Sequence, residues 1–117
     1  MSANKTDVAA FLREFKRVAL SESNFYLVGR VENNRDIVRL GLTKGNVVHE
    51  IASLSVADYC AGPEADRDRA GEVWKFGKCI NGHDVYIKLK IASTGRFKIA
   101  KCISFHIAQY PLHYPLR

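Results

Sequence analysis

The chain has 117 residues, 47% of them hydrophobic and 26% charged, with a formal net charge of +6. That length suits one domain, residues 1–117, around a single core, and that composition excludes wholesale disorder. No apolar run approaches the roughly 18 residues of a membrane span, so no membrane partner is expected.

Residues 1–7 are polar and lack a hydrophobic signal core, which leaves a cytoplasmic location as the expectation. Thr6 is placed to cap a first helix in which Val8, Phe11, Leu12, Phe15 and Val18 form one apolar stripe. The polar run from Ser21 to Asn24 ends that pattern, and residues 25–28 read as a short edge strand. Asn33 or Asn34 would cap a brief helix carrying Ile37, Val38 and Leu40, closed by Gly41. Thr43 would cap a third, with Val47, Val48, Ile51 and Leu54 on one face. Ser55 and Asp58 form a capping-box pair for one further turn presenting Tyr59. Residues 62–71 are a polar loop with three acidic and two basic side chains, either a solvated connector or a mobile flap. Residues 1–71 thus read as a mainly helical half.

Asn81-Gly82 separates the apolar-alternating runs 72–80 and 83–91, which marks a two-residue hairpin. Such a turn sets Ile80 opposite His83, Phe76 opposite Ile87 and Trp74 opposite Leu89. Trp74, Phe76, Val85, Ile87 and Leu89 then share a core face, and Lys75, Tyr86, Lys88 and Lys90 share the other. Residues 97–106 supply a third strand. Without a bulge, Ile99, Ile103 and Phe105 join the core, and Cys102, Ser104 and His106 join the lysines. Residues 107–117 form a Pro-containing tail. The expected fold class is α+β: a small antiparallel sheet, three C-terminal strands plus the short N-terminal edge strand, packed on N-terminal helices.

The net positive charge is confined to this sheet half. Residues 1–71 hold ten Lys/Arg and ten Asp/Glu, whereas residues 72–117 hold eight against two, hence 8 − 2 = +6. A lysine-lined sheet face is an electrostatic footprint for RNA or DNA. Lys75 directly across from Lys88 is unfavourable unless the side chains splay or an anion relieves them. Histidine, lysine and tyrosine on one surface suit metal-free RNA cleavage. They supply proton transfer at the 2′-OH and the leaving oxygen, and cations for the phosphorane oxygens. On this reading His106, Tyr86, Lys75 and Lys88 are the catalytic candidates, and Lys90, Ser104, Lys101 and Tyr59 the RNA-binding ones. Plainer roles exist for several: cross-strand packing for Tyr86, a strand-end surface histidine for His106. His49, His83 and His113 read as surface residues. Cys60, Cys79 and Cys102 are widely spaced and read as reduced thiols, and no His/Cys cluster has metal-ligand spacing, so no metal or cofactor is expected.

Four stretches carry a resemblance. Leu40-Gly41-Leu42-Thr43, Leu54-Ser55 with Asp58-Tyr59, Val73-Trp74 with Val85-Tyr86-Ile87-Lys88, and Ile103-Ser104-Phe105-His106 are similar to motifs of the MqsR-type mRNA interferase toxins of bacterial type II toxin–antitoxin systems. The resemblance implies a RelE-like fold, cleavage of mRNA without metal, and a cognate antitoxin as protein partner. Tyr86 and Lys88 match the family's sheet tyrosine and neighbouring lysine. The chain departs at Lys75, where the best-known type has glutamine, and at His106 and Cys60, where it has lysine. A non-catalytic nucleic-acid or antitoxin-binding module using the same face is the alternative.

Overall fold

The computed structural model describes residues 3–117. Met1 and Ser2, which begin the polar stretch read above for an export signal, lie outside them. The fold is α+β, with three α-helices and one five-stranded mixed sheet. In chain order the elements are α1 (Lys5–Lys16), β1 (Phe25–Leu27), α2 (Val31–Arg39), α3 (Lys44–Ala52), β2 (Tyr59–Ala65), β3 (Glu72–Ile80), β4 (His83–Thr94) and β5 (Phe97–Ile107). Among the described residues no helix is long and apolar enough to cross a membrane.

Helix α1 starts two residues earlier than Thr6 would place it. Asn4 is the cap, and its side-chain oxygen accepts the Asp7 N–H at 2.8 Å while Asp7 reaches back to the Asn4 N–H. Val8, Leu12 and Phe15 bury the expected stripe, and a π turn at Arg17–Ser21 carries it on to Val18. Thr43 caps α3 as expected, in a capping box with Asn46. Helix α2 differs. It begins at Val31, so neither Asn33 nor Asn34 is its cap, and Val38 is 76% exposed.

The sheet order is β1-β5-β4-β3-β2. The β3–β4 hairpin has the register that Asn81-Gly82 dictates, with Ile80 opposite His83 and Trp74 opposite Leu89. Both turn residues have positive φ, +49° and +83°, as the tight hairpin requires. Three features correct the sequence reading. The sheet is mixed rather than antiparallel, because β1 pairs with β5 in parallel. A fifth strand, β2, occupies the segment read as a turn and the start of a loop, and it pairs antiparallel with β3. Finally, β5 carries a bulge at Ile103: Ser104 faces Lys88, yet Cys102 faces Leu89. Ala100, Cys102 and Phe105 therefore enter the core, while Ile99 stands opposite Ala92 and is not part of it.

Helix α2 explains why the bulge sits there. Strand β1 covers β5 only through Cys102, so beyond that point the β5 backbone has an open edge. Asn33 and Asp36, one turn apart on α2, take the place of a strand. The Asn33 amide donates to the Val28 and Ile103 carbonyls at 3.0 and 2.9 Å, and its oxygen accepts the Phe105 N–H at 2.9 Å. Asp36 accepts the Ile107 N–H at 2.9 Å. Both side chains are buried, so each unmet group would cost free energy without these partners.

Candidate RNA-binding and catalytic face

Pairing builds the face in three rows. Gly77, Tyr86 and His106 are neighbours across β3, β4 and β5 in the first row. Lys75, Lys88 and Ser104 form the second. Lys90, Lys101 and Tyr26 form the third, across β4, β5 and β1. All four catalytic candidates thus share one surface.

The Tyr86 and His106 rings lie 5.4 Å apart, inclined by 49°. His106 Nδ1 is 3.0 Å from the Ile107 carbonyl oxygen. A carbonyl only accepts, so Nδ1 carries the proton and Nε2 of the neutral ring keeps its lone pair. Burial raises the pKa of Tyr86, with the nearby Glu64 and Cys60 adding to the effect, so the phenol stays protonated at neutral pH. Lys88 is pushed the other way, first by burial and then by repulsion from Lys75 and Arg30. It makes no ion pair among the described residues.

Lys75 does. Glu64 of β2 lies 3.1 Å from its ammonium, so the Lys75–Lys88 repulsion is relieved within the chain and not solely by an anion. Side-chain alternation does not reveal this pair, because Glu64 lies in the segment that reads as a loop.

Three RNA-binding candidates are corrected. Tyr59 is buried in the core, where its hydroxyl accepts the Ala3 N–H at 3.1 Å and donates to the Gly62 carbonyl. Lys90 is 3% exposed. Its ammonium sits 2.6 Å from the Asp66 carboxylate and 2.6 Å from the Ala70 carbonyl, so it secures the loop after β2 and is not part of an RNA track. Ser104 lies on the face but is buried, which removes it as a ready RNA contact. Lys101 keeps its place on the surface.

A groove of about 620 Å³ runs along the third row, between β1, β5 and the loop at residues 66–71. Lys88 and Lys101 line it, and so do Arg30, Arg67, Arg69 and Tyr26, none of which sequence reasoning singled out, together with Asp66 and Asp68. The loop arginines alternate with Asp66 and Asp68 and cancel in a linear count. Only the folded chain withdraws Asp66 into a pair with Lys90.

The tail is docked across the other end of the face. A Cβ on Gly77 would stand 2.5 Å from Leu112 Cδ1 and 2.7 Å from the Tyr114 hydroxyl, so glycine admits the tail beside Tyr86. Arg117 stacks 3.7 Å over the Tyr114 ring. Cys60, the departure from the family lysine, is half-buried, and burial pushes its thiol up to about 11. It is no substitute for a cation. Among the described residues no three His, Cys, Asp or Glu side chains converge as metal ligands.

No family model, no curated protein and no solved structure matches this chain.

Proposed function

We propose that this chain is a metal-independent endoribonuclease that cleaves mRNA, a cytoplasmic toxin of the type II toxin–antitoxin kind on a RelE-like sheet. The supporting observation is the direct pairing of Tyr86 with His106 in the row next to the Lys75–Lys88 pair. His106 Nε2 accepts the proton of a ribose 2′-OH, and the 2′ oxygen attacks the adjacent phosphorus. The bond from phosphorus to the 5′ oxygen breaks, and the Tyr86 phenol donates the proton that this leaving oxygen takes. The products are a 2′,3′-cyclic phosphate and a 5′-hydroxyl end. Lys88, partly desolvated and without an ion pair among the described residues, holds the non-bridging oxygens, with Lys75 beside it. A cognate antitoxin is the protein partner that the family resemblance implies.

The test is mapping of RNA ends after incubation of a long mRNA with the pure protein in EDTA. New 5′-hydroxyl ends are expected. His106→Ala and Tyr86→Phe should slow their appearance by about 10²–10⁴-fold while RNA affinity holds. Intact RNA beside normal binding would favour the non-catalytic module, and cleavage equal in the variants would remove these residues from the mechanism.

A further inference from the structure

Tyr26 is 53% exposed, on the opposite side of the groove from the loop. It has no ring partner and no side-chain hydrogen bond among the described residues. Its register partner is Lys101. The facing wall is the loop that carries Arg67 and Arg69, with Asp68 between them and Asp66 held by Lys90. That loop is closed at its base by the Asp66 N–H to the Gly71 carbonyl, 3.0 Å, and its turn by the Asp68 N–H to Asp66, 3.0 Å. The buried Lys90 ammonium ties both sides of it to the sheet at 2.6 Å. The arginines are therefore presented from a fixed wall, and neither they, Arg30 nor Lys101 forms an ion pair among the described residues.

An exposed aromatic face beside unpaired cations on two walls is the arrangement that holds single-stranded nucleic acid, bases on rings and phosphates on cations. We infer that Tyr26 is a nucleobase-stacking subsite, separate from the Tyr86–His106 pair, whose flanking phosphates are held by Lys101 and by Arg67 and Arg69 on the Lys90-tethered loop. The inference rests on the RNA reading proposed above. Tyr86 lies four residues before Lys90 on β4, a run of roughly 13 Å. A base on Tyr26 is thus a neighbour along the strand and not the nucleotide being cut. Lys90 is a positioning residue in this scheme, acting through Asp66 and Ala70.

The test uses a fluorescent, non-cleavable 2′-O-methyl RNA 12-mer, its fully abasic counterpart, and the same sequence as a duplex, in anisotropy titrations. Wild type should bind the single strand more tightly than the abasic chain or the duplex. Tyr26→Ala should weaken the base-bearing strand by about 5- to 100-fold and leave the abasic chain unchanged, with Tyr26→Phe close to wild type. Asp66→Asn should weaken both chains, because it loosens the arginine wall. Equal affinity of wild type and Tyr26→Ala for the base-bearing strand, with mRNA cleavage intact, would overturn the subsite while sparing the ribonuclease. If wild type binds none of the three probes, the subsite and the RNA reading fall together.

Discussion

The side-chain oxygen of Asn33 accepts the backbone N–H of Phe105 at 2.9 Å, across 72 residues of sequence. This one bond, with the two that the Asn33 amide donates, lets an α-helix stand in for a missing strand at the edge of β5. It also holds the bulge that brings His106 into line with Tyr86.

Asn33→Ala removes all three bonds and leaves buried backbone groups without partners. It should destabilise the protein by about 2–4 kcal/mol in urea unfolding. Asn33→Asp should fare no better, since a carboxylate cannot donate to the Val28 and Ile103 carbonyls. A loss under about 0.5 kcal/mol for the alanine variant, the size of an ordinary surface substitution, would contradict this role.

Two glycines should respond differently to alanine. At Gly62, φ is +112° and a Cβ would stand 2.8 Å from the Val73 carbonyl oxygen, a backbone atom that cannot swing away. A loss of about 1–3 kcal/mol is expected there. At Gly77 the obstacles are side-chain ends of Leu112 and Tyr114, so the tail should undock with less global cost. Limited proteolysis reads this directly: faster C-terminal trimming of Gly77→Ala is expected, and an unchanged rate would show that the tail does not need the glycine.

The Asp66–Lys90 pair should shape acid stability. The hydrogen bond from Lys90 lowers the Asp66 pKa from 3.8 to about 2. A depressed carboxylate contributes stability that is present above pH 3.8 and disappears as pH falls through about 2. Asp66→Asn should therefore start with a lower Tm at pH 7 and lose less of it between pH 4 and pH 2 than wild type. Parallel Tm curves over that window would mean the pair carries no linkage.

Glu64 should restrain RNA binding by occupying Lys75. Glu64→Gln frees that cation, so affinity for a single strand should rise and the salt slope should steepen by about 0.7 per added phosphate contact. An unchanged slope would place Lys75 outside the RNA footprint.

The three thiols should label in order of exposure. Cys79 is exposed, Cys60 is half-buried with a thiol pushed up to about 11, and Cys102 is fully buried. Iodoacetamide at pH 8 followed by mass spectrometry should modify Cys79 first, Cys60 slowly, and Cys102 only on unfolding. Early labelling of Cys60 would mean that the site is open to reagent.

The hairpin face was legible in the sequence because its causes are local. Asn81-Gly82 sets the turn, alternation of side chains sets which face each one takes, and Thr43 with Asn46 caps α3 within four residues. These local causes are enough to place Tyr86, Lys75 and Lys88 together. What the tertiary structure alone decided depends on partners far apart in the chain. Asn33 and Asp36 hold the β5 bulge and so choose Cys102 over Ile103 for the inner face. Asp66 takes Lys90 out of the solvent-facing set although alternation puts it beside Lys88. Tyr59, at the start of a strand that no alternation announced, turns inward to meet Ala3 and Gly62. Alternation says which face a residue takes; burial and charge pairing on that face are fixed by whatever the fold lays over it.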